Sequence, residues 1–244
     1  SNTMLIDEGA TIDVQKSVEG LEARLIHQVG GTITVKSSDD GLNAKDWTLE
    51  SSEAQRPGQQ TKTVKAEAAN AKNLDQAGDV KIVIDGGTLT VDAEGDGLDA
   101  NGSIEINGGT VVVNGPTSGA NAALDYDNNA KLNGGTVLFV DNGEMTMGFG
   151  SDSSQAFLMA SVQGAAGATV EVVDSSGKTV ASLKASKSFS TVLISSPEIK
   201  EGEKYTIKVG SNSTTATASK QATNVGGGPG GGGRPGQGGR PGGR

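Results

Sequence analysis

Cysteine is absent from this chain, so no disulfide framework and no thiol chemistry can contribute to its fold or activity. One histidine, His27, leaves zinc without its usual donors. No nucleophile accompanies His27 in the pattern, so a Ser/His/Asp triad has no support. Aromatic residues make up 3% and apolar residues 34% of the chain, low for a globular enzyme with a thick core. No apolar run is long enough to span a bilayer. Positive charge is in deficit: 20 Lys and Arg face 29 Asp and Glu, a formal net charge of −9. That balance argues against nucleic acid and anionic membrane surfaces and favours cations or cation-bridged ligands, and with no long apolar run no membrane insertion is expected.

What the chain does have is glycine, 38 residues of it, arranged in register. The signature Gly-Leu-x-Ala recurs at Gly20-Leu21-Glu22-Ala23, Gly41-Leu42-Asn43-Ala44 and Gly97-Leu98-Asp99-Ala100, with a variant at Ala123-Leu124-Asp125-Tyr126. A second signature begins at Gly9, Gly30, Gly86, Gly108 and Gly134, hence at spacings of 21, 56, 22 and 26 residues. Each unit carries a short alternating run such as Thr32-Ile33-Thr34-Val35, bracketed by Asx-Gly-Gly turns. A period near twenty-two residues is too short for strand, helix and strand, but suits one coil of short strands. The expectation is an all-β fold, a right-handed parallel β-helix. Ile12, Ile33, Leu89, Val111 and Val137 would form one inward column, and Val14, Val35, Val91, Val113 and Phe139 the next. Leu21, Leu42, Leu98 and Leu124 would form a third.

Residues 5–150 are expected to form this domain, with residues 50–79 ejected as an inserted loop that fills the long gap. The period disappears from about Gln155, and strand-like runs at 156–162, 169–173, 179–183, 190–194 and 204–209 predict a small antiparallel β cap over 155–210. Residues 211–244 read as a Ser/Thr/Ala linker and a disordered Gly/Pro tail carrying Arg234, Arg240 and Arg244. The repeat starts almost at once, with no capping segment before Gly9, so a fragment of a longer exported protein is expected.

The same register stacks acidic residues. Glu22, Asn43, Asp99 and Asp125 share one column, and Glu19, Asp40 and Asp96 another, three residues earlier. Neighbouring strands lie about 4.8 Å apart, a spacing at which carboxylates repel, raise their pKa values or recruit a cation. Calcium takes six to eight oxygen ligands, so adjacent coils could share an ion. Asp96, Asp99, Asn101, Asp125, Asp127, Asp40 and Asn43 are the candidate metal ligands. An EF-hand is excluded, because Ala130 and Thr136 stand where its loop needs Gly and Glu. The competing reading is that these Asx-Gly pairs are turn formers and nothing more.

The stretch from Ile84-Asp85-Gly86-Gly87-Thr88 through Gly95-Asp96-Gly97-Leu98-Asp99-Ala100-Asn101-Gly102-Ser103 and Ile106-Asn107-Gly108-Gly109-Thr110 resembles a family of secreted bacterial carbohydrate-binding β-helix proteins, related in shape to pectate lyases. Val113-Asn114-Gly115-Pro116, Ala123-Leu124-Asp125-Tyr126-Asp127, Asn133-Gly134-Gly135-Thr136 and Gly202-Glu203-Lys204-Tyr205-Thr206-Ile207 extend the likeness. The resemblance implies a calcium-bearing right-handed β-helix of a secreted protein that binds acidic pectin-like or cellulose-like polysaccharide at the cell surface, and the expectation for this chain is a non-catalytic monomer.

Lys45, Trp47 and Tyr126 flank the acidic turns and are the candidate sugar contacts, the rings by stacking. Trp47 reads equally well as a residue packed under the 50–79 insertion. A pectate-type lyase is the first alternative; Lys45, Lys81 and Lys131 are the bases near the turns, but none falls in a convincing catalytic place. A structural or adhesive solenoid is the second. An outward Thr11, Thr32, Thr88, Thr110, Thr136 ladder is explained mostly by threonine's fit to strands, with Asp13, Val112 and Leu138 interrupting the column beside it.

Overall fold

The structure is a computed structural model and describes residues 2–46 and 80–222. Its described residues are all-β, with no helix. Strands β1 (Thr3–Ile6), β2 (Thr11–Ser17) and β3 (Leu21–Ala23) make the first rung, and β4 (Leu25–Gln28), β5 (Thr32–Ser37) and β6 (Leu42–Ala44) the second. The third is β7 (Lys81–Ile84), β8 (Thr88–Ala93) and β9 (Leu98–Ala100); the fourth is β10 (Ser103–Ile106), β11 (Thr110–Asn114) and β12 (Leu124–Tyr126). A final partial rung holds β13 (Asn129–Leu132) and β14 (Thr136–Asp141).

The chain visits three sheets in strict rotation. One is β1-β4-β7-β10-β13, the second includes β2-β5-β8-β11-β14, and the third is β3-β6-β9-β12, all parallel. Ile12, Ile33, Leu89, Val111 and Val137 are partners across successive strands, as are Val14, Val35, Val91, Val113 and Phe139. Leu21, Leu42, Leu98 and Leu124 form the third aliphatic ladder. These residues belong to one core cluster, sealed from water in the middle rungs; Ile12 and Val14 in the first rung stay half-buried. The 50–79 insertion lies outside the described residues, but the rungs on its two sides pair directly, Leu25 with Lys81 and Thr32 with Thr88.

Two glycine roles account for the signatures. The second glycine of each pair, Gly31, Gly87, Gly109 and Gly135, sits at φ between 72° and 93°, which L side chains rarely adopt. The glycine of Gly-Leu-x-Ala serves close approach instead. A Cβ on Gly41 would overlap the Gly97 carbonyl and a Val91 methyl, and a Cβ on Gly97 would overlap the Ala123 carbonyl and a Val113 methyl. β12 ends its sheet, so alanine fits at position 123, where no further rung presses on it.

Beyond β14 come β15 (Leu158–Gly164), β16 (Thr169–Val173), β17 (Thr179–Lys184), β18 (Phe189–Ser195), β19 (Lys204–Val209) and β20 (Asn212–Thr217). β18 pairs antiparallel with β14, and β15 with β18, extending the second sheet. β17-β16-β19-β20 form a separate antiparallel sheet. Its core includes Leu138 and Val140 from β14, with Val112 packed against it. The apolar residues that interrupt the outward column are therefore where this sheet docks. Three of the four phenylalanines, Phe139, Phe149 and Phe157, stack edge to face at 5.8 and 5.6 Å at the last rung.

One expectation needs correction. Residues 212–217 read as linker from their Ser/Thr/Ala composition, yet they form β20, paired along its length with β19. Alternating Thr and Ala suit an edge strand with one exposed face. The Gly/Pro tail lies outside the described residues.

Candidate functional site

The third sheet carries the acidic corner. Register places Glu22 against Asn43, Asn43 against Asp99, and Asp99 against Asp125. Their neighbours inward are the Leu21–Leu124 ladder, so strand alternation turns this second column away from the core. Glu19, Asp40 and Asp96 stack in the turns just before, where the Gly20 N–H donates to the Asp40 carbonyl and the Gly41 N–H to the Asp96 carbonyl.

The turn aspartates also tie rungs together. The Asp96 N–H donates to Asp40 Oδ1 at 2.8 Å, and the Ala122 N–H donates to Asp96 Oδ1 at 2.6 Å. Asp40 Oδ2 accepts from Asn43 Nδ2 at 3.2 Å. Asp125 Oδ1 accepts from the Tyr126 N–H at 2.9 Å. Sequence reading anticipated the columns but not this backbone role.

Crowding dominates the electrostatics. Burial, with Asp40, Asp96, Asp125 and Asp127 adding repulsion, pushes the Asp99 carboxyl up to about 7. Asp96 is pushed up to about 6, first by burial and then by Asp125, Asp40 and Asp39, against the Ala122 N–H that favours its charged form. Asp40 is raised by burial and by Asp39 and Asp125, opposed by the Asp96 N–H and by Lys45. Glu19 is raised by burial, then by Asp40, Asp39 and Glu22, with Lys45 opposing.

Among the described residues two acceptors in the corner have no donor: Oδ1 of Asn43, a residue 3% exposed, and Glu19 Oε2. The available donors are all oxygen, which suits a hard cation such as calcium and not zinc or copper. Among the described residues no three Asp, Glu or His side chains converge as a ready metal centre. The candidate ligands Asp40, Asn43, Asp96, Asp99 and Asp125 are brought together; Asp127 and Asn101 sit exposed at the rim, Asp127 close enough to raise Asp99.

The sugar candidates are placed differently. Lys45 reaches Glu22, with Nζ 3.1 Å from Oε1. Tyr126 is half-buried against the core and donates its hydroxyl to the Gly148 carbonyl at 2.8 Å. Trp47 lies outside the described residues. The other lysines near the turns are also in ion pairs, Lys131 with Asp152 at 2.9 Å and Lys81 with Glu105 at 3.9 Å. His27, solitary in sequence, meets Asp85 at 2.7 Å; Asp85 in turn accepts from Asn107, and Asn107 from Asn133, so a polar ladder runs up the Asx-Gly-Gly turns.

Comparison with family models, with curated proteins and with solved structures finds no match to this chain. The reading of the acidic corner therefore rests on its own geometry.

Proposed function

We propose that this protein is a non-catalytic, calcium-dependent polysaccharide-binding β-helix, exported and held at a bacterial cell surface. In this reading the three rotating sheets wind as one right-handed parallel solenoid. The observation that carries it is the acidic corner, where Asp40, Asp96, Asp99 and Asp125 are stacked over three rungs and Asp96 and Asp99 are held at about 6 and about 7. A folded chain retains such repulsion most readily where a cation relieves it.

Asp96, Asp99 and Asp125 would hold the ion, with Asp127 and Asn101 as further oxygen donors and Asp40 and Asn43 bordering it. Bound calcium supplies a positive centre that accepts a uronate carboxylate. An anionic protein has few other routes to an anionic glycan, which favours pectin-like over cellulose-like chains. The tethered Tyr126 hydroxyl further weakens a stacking platform. A lyase would need a basic side chain free beside the sugar, whereas Lys45, Lys81 and Lys131 are each engaged with a carboxylate.

Calorimetric titration of EDTA-stripped and calcium-loaded protein with oligogalacturonate, and with cello-oligosaccharide in parallel, tests the proposal. The expected result is oligogalacturonate binding that requires calcium and yields no ultraviolet-absorbing unsaturated product. Product formation would replace the reading with a lyase. Absence of binding to both sugars, with and without calcium, would leave a structural solenoid.

A further inference from the structure

Lys45 meets the acidic corner at Glu22. Lys45 Nζ lies 3.1 Å from Glu22 Oε1, with the lysine side chain 20% exposed and the glutamate 32%. From there it also favours the charged forms of Glu19 and Asp40. By contrast, the charges that bear most on Asp99 are the carboxylates of Asp40, Asp96, Asp125 and Asp127. The two orphaned acceptors lie at the Lys45 end. Glu19 Oε2 belongs to the first rung, and Asn43 stands between Glu22 and Asp99 with its Nδ2 committed to Asp40 and its buried Oδ1 unpartnered. An amide oxygen sealed from water without a donor, beside three carboxylates, is oriented for a cation.

We propose that Lys45 is a tethered cation filling the Glu19–Glu22–Asp40 end of the acidic corner, so that divalent cations are confined to the Asp96–Asp99–Asp125 end. The ammonium neutralises one charge but is held on Glu22, leaving Asn43 Oδ1 and Glu19 Oε2 unsatisfied. Removing it opens a second site of the same oxygen chemistry. The inference rests on the calcium reading above and deepens it: Lys45 sets how many ions the corner takes, instead of touching sugar.

Calcium chloride titrations of the intact protein, followed by calorimetry and by the calcium-induced shift in melting temperature, compare wild type with K45M, K45Q, K45R and K178M. K178M removes an equal charge in the cap, where Lys178 pairs with Glu198. K45M and K45Q are expected to bind one further ion per chain, or to bind calcium about tenfold more tightly where the sites merge. K45R, which keeps the charge, and K178M should match wild type. K45M and K45Q with wild-type stoichiometry and affinity would overturn the assignment, as would K178M reproducing their gain. Calcium binding to neither wild type nor the Lys45 variants would defeat both this inference and the proposed function. Binding to K45M and K45Q alone would uphold Lys45 as the occupant and refute the calcium reading of the native chain.

Discussion

Asp99→Asn should stabilise the calcium-free protein at alkaline pH and do almost nothing at acidic pH. The carboxyl titrates at about 7 in the folded chain against 3.8 for the free group. Its folded-state pKa is raised, so the folded chain binds this proton more tightly than the unfolded chain. The associated stability is complete below the unfolded value and is lost as pH rises through about 7. Taken whole, the shift amounts to ~4 kcal/mol at 1.36 kcal/mol per unit. Solvent reaches one side of the group and screens it, and discounting by half leaves ~2 kcal/mol. Asparagine keeps the shape and removes the charge, and among the described residues no backbone donor depends on the Asp99 carboxylate as Ala122 depends on Asp96. At 2–4 °C per kcal/mol for a chain of this size, Asp99→Asn should melt about 4–8 °C above wild type near pH 8.5 in EDTA. Near pH 3, below the unfolded value of 3.8, the two should coincide, because the aspartate is then protonated in the folded and the unfolded chain alike. Calcium should reverse the order, since a neutral amide oxygen holds the ion more weakly than a carboxylate. An unchanged or lower melting temperature near pH 8.5, or an equal gain near pH 3, would refute the electrostatic account.

Two further substitutions probe the frame that holds this corner. Gly41→Ala should cost about 3 kcal/mol, since the new Cβ overlaps the Gly97 carbonyl and a Val91 methyl, while Ala123→Gly at the sheet's open end should cost about 1 kcal/mol or less; urea midpoints that fall equally would contradict the close-approach argument. Lys187→Met should loosen the cap by about 2 kcal/mol, because this lysine, 12% exposed, joins the β17–β18 connection to Asp92 at 3.0 Å and Glu94 at 3.1 Å. Limited proteolysis should then cut the cap before the rungs, and an unchanged cleavage pattern would count against that anchor.

The rungs were legible in the sequence because each inward position must match its neighbour 21, 22 or 26 residues away, or 56 across the insertion, and a misregistered valine or leucine would leave the core. The same constraint made the Glu22–Asn43–Asp99–Asp125 column readable, since one register fixes both faces of a strand. What stayed hidden was decided by contacts at long range. Composition pointed to a linker at 212–217, whereas pairing with β19 makes it a strand. The Leu138 and Val112 interruptions looked like flaws in a threonine ladder until the cap sheet covered them. Nothing in the local sequence could say that Lys45 turns back to Glu22, or that His27 finds Asp85 58 residues on.

The backbone role of the turn aspartates sharpens what their charge is for. Asp40 and Asp96 each accept a rung-to-rung N–H through one oxygen, a task that an asparagine carbonyl could perform equally well. Asn43 shows that the corner accommodates an amide side chain. Turn formation and rung pairing therefore account for an Asx residue at these positions but not for the acid. The acid costs stability at neutral pH, with Asp96 raised to about 6 and Asp99 to about 7. If turn chemistry were the whole explanation, Asp40→Asn and Asp96→Asn should stabilise the chain and leave every binding property intact. On the cation reading the same substitutions stabilise the calcium-free protein and weaken calcium binding together, so stability and affinity move in opposite directions across the set. That opposition separates a corner built to turn from a corner built to hold an ion.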